Sequence, residues 1–427
     1  MSRSPADCFA PDADMLRAEQ AVAALVGAVE CGLGTERVPL MAGRGRILAE
    51  ALVSGLTVPP HDNSAVDGYA VNSADLSADA EMRLPVVARI TAGHPSAEGV
   101  PRGAAARIFT GGVLPAGVDT VVPQEACRVE AGEVVLPAGV KHGANTRRAG
   151  EDVRAGDVVV AAGTRLRPQE IGLAAAVGST GLTVYRRLRA AVFSTGDEIR
   201  DPGTPAGAGC IYDSNRYAVA ALLDALGAEV TDLGILPDRF EAVRDGLDAA
   251  ARKHDLIVTS GGVSTGEEDH VKQVVEALGG LHLWRIAVRP GRPLAVGIVR
   301  GVPFVGLPGN PVAALATFLM VVRPMLLKLM GAKPMGAASG PSSSRPVPVR
   351  ARAGFAFRKR VGRREWLRGR LAPGADGFPI VERFPVEGSG ILTSMVWAGG
   401  IVDLPEGLAG VAKGDFVDFL PFSELLA

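Results

Sequence analysis

Between residues 189 and 330, short apolar runs alternate with stretches in which apolar residues recur at helical spacing. The runs AAVFS, EVTDLG, DLIVTS, LHLWRIAV, LAVGIV and PFVGL are bounded by polar or turn residues, which is typical of strands. Helical spacing follows each of the first three runs and returns over residues 311–330. Strands that alternate with helices predict an α/β fold built on a doubly wound, mainly parallel sheet.

The segments on either side of this unit have different patterns and predict further domains. Residues 85–136 alternate short apolar runs with turn residues, which predicts a β-rich domain inserted between helical segments. Helices are predicted within residues 14–30 and from Pro168, and PLMAGRGRILAE predicts a short second helix. We therefore expect a multidomain chain with these divisions: a helical linker domain (14–51 plus 146–186), the β-rich inserted domain (52–145), the α/β domain (187–335) and a C-terminal β-barrel (345–427).

Composition narrows the class of protein. A chain of 427 residues is too long for one typical domain, and its net charge of −1 gives no general attraction to nucleic acid or to an anionic membrane. Its four cysteines are scattered, which argues against a disulfide framework or a structural zinc site. The N-terminus lacks a signal-peptide pattern, and the longest apolar run stops at Arg323-Pro324. We expect a cytoplasmic protein without nucleic-acid or membrane partners.

Four loops after predicted strands hold unusual chemistry: STGDE (194–198), PDRF (237–240), SGGVSTGEED (260–269) and LPGNP (307–311). Ligands of parallel sheets bind beyond the carboxyl ends of the strands, where these loops lie. The glycine turn at 260–266 would expose backbone N–H groups at a helix start, which suits a phosphate. The acids at 267–269 are ordinary helix-start residues, and they are also ligands for a divalent cation that bridges to a phosphate. The pattern alone leaves both interpretations open.

Basic residues recur at two other places in the sequence. RPGRP sets Arg289 and Arg292 beside a turn, which suits an oxyanion. Residues 358–370 hold seven Lys or Arg and one Glu, which is compatible with nucleic acid, a solvated edge strand or an anion contact. Walker A, GxGxxG and HExxH patterns do not occur beside these strands, which argues against the usual nucleotide and zinc-hydrolase classes.

Seven motifs in register resemble one protein family. DNSAVDGYAV, RIFTGGVLPAGVDTVVPQE, FSTGDEI, SNRYAVAALL, SGGVSTGEEDHVK, RPGRP and GLPGNPVAA occur in this order, and the chain resembles the MoeA family and the related catalytic domain of gephyrin from about Asp14 to its end. The resemblance implies insertion of molybdate into adenylylated molybdopterin with Mg²⁺ and release of AMP, the final step of molybdenum cofactor biosynthesis. It also implies an elongated four-part subunit, an adenylyltransferase-like α/β domain that binds molybdopterin, and a homodimer that shares its active site between subunits.

The same resemblance implies which residues act. The catalytic residues would be Asp67, Thr110, Glu198, Asp238 and Asp269. Asp269, with Glu198 or Asp238, would hold Mg²⁺. The residues that bind cofactor and substrates would be Ser260, Gly261, Gly262, Ser264, Gly266, Arg289, Arg292, Pro308, Pro311 and Arg363. The family often has lysines in the RPGRP turn; arginine keeps the charge but presents a wider, fork-like group.

Three other functions remain open. The α/β domain also resembles molybdopterin adenylyltransferase, the dimer could serve as a gephyrin-like scaffold, and the basic run could be a general anion binder. Besides a second copy of the chain, we expect molybdopterin adenylyltransferase and molybdenum-enzyme maturation factors as partners.

Overall fold

The structure is a computed structural model that describes residues 15–262, 270–333, 346–375 and 377–426. The predicted site residues Ser264, Gly266 and Asp269 lie outside the described residues, as does the segment 336–344 that separates the last two predicted domains.

A six-stranded sheet forms the middle of the molecule, hereafter the α/β sheet. Its strands lie in the order Glu229–Leu236, Arg189–Thr195, Leu256–Ser260, Val302–Leu307, Pro293–Val299, Gly279–Arg285. The first four strands pair in parallel and the last two pairings are antiparallel, so that only the fifth strand opposes the others. This is the mainly parallel sheet that the alternating pattern predicts.

Helices cover both faces of the α/β sheet. Their bounds are Asn215–Ala225, Phe240–Ala251, His270–Leu278, Pro311–Thr317 and Arg323–Leu329, the last two joined by a π-helical turn at Phe318–Val322. Alternate residues of one strand enter opposite cores: Val192 packs with the last helices, whereas Phe193 packs against the second and third. The π turn lets the helix continue past Pro324, which has no N–H to donate.

The joined helix Pro311–Leu329 is long and apolar enough to cross a membrane, judged by length and composition among the described residues. However, 83% of its apolar window is buried inside the protein. It therefore serves as the core helix of the α/β unit.

The N-terminal segment contains fewer helices than predicted. Its elements are the helices Ala18–Gly27 and Pro168–Ala176, the antiparallel pair Thr35–Pro39 with Gly181–Tyr185, and the pair Leu52–Val53 with Val158–Val160. The second helix predicted at PLMAGRGRILAE is wrong: only a 3-10 turn, Leu40–Ala42, forms there. Gly43 and Gly45 weaken a helix at this point, and Ile47 and Leu48 instead bridge to neighbouring extended segments.

A second six-stranded sheet lies between these N-terminal elements in the sequence. Its order is Thr120–Pro123, Gly68–Val71, Ala105–Ile108, Met82–Ile90, Glu133–Leu136, Arg128–Glu130. Asn63–Ser64 pairs with Thr146–Arg147 beside it. The β-rich pattern of residues 85–136 is therefore present as strands.

The C-terminal strands close into a barrel. Around it run Arg364–Ala372, Ile380–Arg383, Val349–Ala353, Phe416–Pro421 and Gly400–Leu404, and the last strand pairs again with the first. Short elements complete this part: the pair Phe357–Arg358 with Gly410–Val411, and the helices Thr393–Trp397 and Phe422–Leu426. The predicted C-terminal barrel is confirmed, whereas the boundaries of the four domains stay a prediction.

Candidate functional site

A cleft of about 750 Å³ opens where the carboxyl edge of the α/β sheet meets the barrel. We call it the arginine cleft. Its charged lining consists of Arg289, Arg292, Arg363, Arg368, Glu198, Glu365 and Glu387. Four guanidiniums against three carboxylates leave the cleft positive, and the sequence reasoning named only Arg289, Arg292, Arg363 and Glu198 among these residues.

The sheet side of the cleft is held by a small polar network. The Oγ of Ser260 donates to the carbonyl of Pro308 at 3.0 Å and accepts from Nδ2 of Asn215 at 2.8 Å. The same Nδ2 donates to the carbonyl of Gly309 at 2.7 Å. Asn215 thus ties the glycine turn to the LPGNP loop, a role that sequence reasoning did not assign to it.

The glycine turn lies directly against this loop. Gly261 and Gly262 both have positive φ, 86° and 62°, so the backbone turns in a way that other residues rarely adopt. A Cβ on Gly309 would lie 3.8 Å from the Cα of Gly261, and a Cβ on Gly262 would meet Cγ2 of Thr195 at 2.6 Å. Gly261, Gly262 and Pro308 line the cleft, as predicted from the sequence.

The RPGRP turn connects the α/β sheet to the barrel. Val288–Arg289 pairs in parallel with Arg364 and Glu365 of the barrel strand. Gly291 has φ +98°, and a Cβ there would lie 2.1 Å from Oγ1 of Thr317 on the core helix. The turn is therefore pressed against both units.

Arg368 supplies a buried guanidinium at the barrel side. The residue is 8% exposed, and its Nε donates to Oγ of Ser394 at 3.1 Å while Nη2 donates to the carbonyl of Val386 at 3.2 Å. Burial lowers the pKa of Arg368, and the positive charges of Arg383 and Arg289 lower it further, against the opposing effect of Glu387. Among the described residues no carboxylate forms an ion pair with Arg368, so its positive charge would stabilise a bound anion.

Two neighbours modify the charge at this side of the cleft. Nη2 of Arg363 donates to Oε1 of Glu365 at 3.0 Å, and its Nε is enclosed with no hydrogen-bond partner in the described part of the chain. Glu387 pairs with Arg289 and with Arg383, at 3.3 Å each. One carboxylate therefore competes with any anion for Arg289.

Glu198 and Asp238 follow adjacent strands at the carboxyl edge. The pairing of Thr195 with Leu236 sets their two loops side by side. Glu198 lines the cleft and its carboxylate lies against Gly196, where an added Cβ would meet Oε2 at 2.7 Å. Asp238 is half-buried and does not line the cleft. Within residues 15–262, 270–333, 346–375 and 377–426, no group of three or more His, Cys, Asp or Glu side chains is placed to hold a metal ion.

Asp67 and Thr110 meet each other on the second sheet, not in the arginine cleft. The backbone N and the Oγ1 of Thr110 both donate to Oδ1 of Asp67, at 2.8 and 2.7 Å. These two bonds hold the pKa of Asp67 below its ordinary value against the opposing effect of burial, and the charge of Arg107 lowers it further. Pro311 is the first residue of the core helix, and its neighbour Asn310 lines the cleft.

Comparisons with known proteins cover nearly the whole chain. Residues 16–178 match the MoeA N-terminal region (domain I and II), residues 191–328 a probable molybdopterin binding domain, and residues 350–422 the MoeA C-terminal region (domain IV). A Haemophilus influenzae protein named molybdopterin molybdenumtransferase is 38% identical over 96% of this chain and 100% of its own length. A Nostoc protein of the same name is 42% identical over 72% of each chain.

A solved structure gives the same result for the fold. The molybdopterin biosynthesis MoeA protein of Pyrococcus horikoshii OT3 superposes with a TM-score of 0.79 at 27% identity, over 95% of this chain and 99% of that one. The multidomain fold with its closed barrel is thus MoeA-like. By sequence and by fold, the chain belongs to the MoeA family.

Proposed function

We propose that this chain is a molybdopterin molybdenumtransferase, which inserts molybdate into adenylylated molybdopterin and releases AMP in the final step of molybdenum cofactor biosynthesis. The arginine cleft is the observation that carries the proposal, because four guanidiniums face one opening beside a glycine turn. Both substrates suit such a cleft, since molybdate is a dianion and adenylylated molybdopterin contains phosphate groups. The full-length relatives that have this name support the same function.

The phosphates of the substrate would bind at the sheet side. The N–H of Gly261 donates to the carbonyl of Leu307 at 3.2 Å, so Gly262 and the turn residues after it would offer backbone N–H groups to the phosphates. Arg289 and Arg292 line the same cleft from the RPGRP turn. The network around Ser260 fixes this wall before substrate arrives. Ser264 and Gly266 stay predicted parts of it.

Molybdate would bind at the barrel side. The guanidinium of Arg368 is almost fully buried and has no carboxylate partner among the described residues, so its charge is poorly screened by water. Arg363 adds a second fork at the same wall. A small dianion bound between these two guanidiniums would take the place of the water that each of them loses on burial.

Mg²⁺ fits the acids of the carboxyl edge. Glu198 offers the cleft a carboxylate that forms no ion pair in the described part of the chain, and carboxylate oxygens are the ligands Mg²⁺ prefers. Asp269, together with Glu198 or with Asp238 from the adjacent loop, would hold the ion. When bound, it would neutralise phosphate charge as the phosphoanhydride opens.

Asp67 and Thr110 would act from a second copy of the chain. Both belong to the predicted catalytic set, yet neither lines the cleft of its own chain. We therefore propose a homodimer in which the second sheet of one protomer completes the cleft of its partner. Molybdopterin adenylyltransferase would supply the substrate, maturation factors would receive the product, and the cytoplasm would be the compartment.

The first test follows AMP release. The purified chain, given adenylylated molybdopterin, Mg²⁺ and molybdate, should release AMP only when molybdate is present. An adenylyltransferase would instead consume ATP, and a pure scaffold would do neither.

We expect Asp269→Ala to slow AMP release at least about tenfold at saturating Mg²⁺. Asp245→Ala, at an exposed helix position away from the cleft, is the matched control. Unchanged release by Asp269→Ala would mean that the metal assignment is wrong.

The second test concerns the acid in the cleft. Glu387→Gln removes a carboxylate whose charge acts on Arg368, where molybdate would bind, so molybdate should bind about three- to tenfold more tightly. Titration calorimetry with molybdate alone measures this directly. Glu382→Gln is the control, because Glu382 pairs with Arg370 outside the cleft. Equal or weaker binding by Glu387→Gln would show that Glu387 does not set anion affinity.

A further inference from the structure

A stack of arginine and aromatic side chains lies beside Asp67 on the second sheet. Arg107 is opposite Tyr69 in one neighbouring strand and opposite Arg89 in the other. The guanidinium carbon of Arg107 lies 4.6 Å from the centre of the Phe109 ring and 5.2 Å from the centre of the Tyr69 ring. Contacts of this kind attract a cation to the face of a ring. Two aromatic rings therefore fix where this guanidinium lies.

Arg107 is hydrogen-bonded to two residues that adjoin Asp67. Its Nη1 donates to the carbonyl of Gly68 at 2.9 Å, and its Nη2 donates to Oε1 of Gln124. The backbone N of Gln124 in turn donates to the carbonyl of Asp67 at 3.0 Å. Pro123, which is opposite Gly68 in the next strand, has no N–H to donate. One side chain thus links the residue after Asp67 to the residue that bonds the carbonyl of Asp67.

The backbone at Asp67 and Gly68 has little room to move. Gly68 is buried, and a Cβ on it would lie 2.1 Å from the carbonyl oxygen of Val122. The carboxylate of Asp67 is fixed at one oxygen only, since both bonds from Thr110 go to Oδ1. Among the described residues Oδ2 of Asp67 has no hydrogen-bond partner. This second oxygen is therefore free to contact a substrate.

The charge of Arg107 is not neutralised by a direct ion pair. Its hydrogen bonds go to a carbonyl and to an amide oxygen, and no carboxylate of the described residues pairs with it. Its neighbour Arg89, 4.8 Å from the centre of the Phe109 ring, is a second cation. The charge of Arg107 instead acts on Asp67, where it adds to the two bonds from Thr110 in lowering the pKa of that carboxyl.

We propose that Arg107 is a positioning residue of the transferase reaction, which holds the backbone of Asp67 through Gly68 and Gln124 so that Oδ2 of Asp67 faces the substrate in the partner's cleft. The inference rests on the proposed function and deepens it, because it identifies what sets the orientation of a predicted catalytic carboxylate. Arg107 acts through Asp67 and does not contact the reacting atoms. A displacement of about 1 Å at a catalytic group costs about a hundredfold in rate, so a partial displacement has a measurable effect.

Steady-state AMP release by the whole protein tests the proposal. Arg107→Gln should lower kcat about tenfold and leave the half-saturating concentration of molybdate within about twofold of the wild type, because molybdate would bind at the barrel. Arg107→Lys should recover part of kcat, since it keeps the charge and loses the fork. Arg89→Gln is the matched control. Arg89 contacts the same ring but, in the described part of the chain, has no hydrogen bond to Gly68 or Gln124, so this variant should retain nearly full activity.

A double-mutant cycle separates positioning from a general loss of stability. In an Asp67→Asn background, Arg107→Gln should lower kcat no further, because the carboxylate that it positions is already gone. A role in folding alone would give the same tenfold loss in both backgrounds. Gln124→Ala is a second variant for the same cycle. It removes one acceptor of the guanidinium and keeps the backbone bond to Asp67, and its effect should also vanish in the Asp67→Asn background.

The outcomes distinguish this inference from the proposed function. A wild type that releases no AMP with molybdate present contradicts the proposed function. If the wild type is active, and Arg107→Gln turns over normally or loses the same factor with and without Asp67, then Arg107 does not position Asp67. Thermal unfolding supplies a readout without turnover: Arg107→Gln should lower the melting temperature less in the Asp67→Asn background than in the wild type. Equal decreases would also overturn the inference.

Discussion

Replacing Arg368 by glutamine is expected to lower molybdate-dependent AMP release by about a hundredfold, because a buried charge that contacts an anion contributes far more than an exposed one. Glutamine keeps a polar group near Ser394 and removes only the charge and the fork. The half-saturating concentration of molybdate should rise, while the binding of adenylylated molybdopterin at the glycine turn should change little. Steady-state AMP release over a range of molybdate concentrations measures both effects.

The barrel strand offers a matched control for this variant. Arg370 lies two residues further along, is half-exposed and pairs with Glu382. Arg370→Gln should therefore retain nearly full activity. Arg368→Lys should fall between the two, since it keeps a charge but loses the bond geometry at Ser394. Normal turnover by a folded Arg368→Gln protein would show that Arg368 does not bind molybdate.

Asp67→Asn is expected to lower molybdate-dependent AMP release to a similar degree. A second copy of the chain that carries a different substitution should restore part of this activity. Asparagine has the shape of aspartate, and the pKa of Asp67 lies below its ordinary value, so the substitution removes a charge that is present at neutral pH. If the cleft is completed by the partner, Asp67→Asn and Arg368→Gln damage different halves of each composite site. Refolding or coexpressing the two variants together should restore about a quarter of the wild-type activity, since half of the dimers are mixed and each has one intact site.

The control for this mixing experiment is a pair of variants on the same wall. Arg292→Gln mixed with Arg368→Gln should restore nothing, because both residues line the cleft of one chain. Failure of Asp67→Asn to be rescued by Arg368→Gln, in a sample shown to contain mixed dimers, would confine each active site to a single chain.

The strands and loops of the α/β unit could be predicted because their signals are local. Apolar runs such as LIVTS are buried at every position, and the turns after them contain the glycines that tight backbone turns need. The sequence therefore located most of the sheet side of the cleft. Asn215 was missed because its partners, Ser260 and Gly309, are 45 and 94 residues away.

The barrel side was less predictable for a physical reason. A half-buried strand alternates between buried and exposed residues, but Arg364–Ala372 is buried at its first six positions and exposed only afterwards. Leu367 packs in the barrel core, and Trp366 on the other face packs with the α/β unit. Burial on both faces ends at Gly369, so Arg368 is enclosed, whereas Arg370, on the same face as Arg368, is exposed. Residues 358–370 hold seven Lys or Arg, and no local signal distinguishes Arg368 from Arg370 among them.

The helix predicted at residues 39–50 is wrong for a similar reason, since long-range bridges at Ile47 and Leu48 outweigh local spacing.

The parallel pairing of Val288–Arg289 with the barrel strand has a mechanical consequence. Arg289 pairs with the strand that contains Arg368 and that begins directly after Arg363, so these three guanidiniums would move together if the barrel shifted. Ser260 and the glycine turn belong to the other body. A small rotation of the barrel would therefore leave the arginines at fixed separations while it changes the gap between them and the glycine turn. Such a rotation would therefore change the distance between the two bound anions and leave the affinity for each of them unchanged.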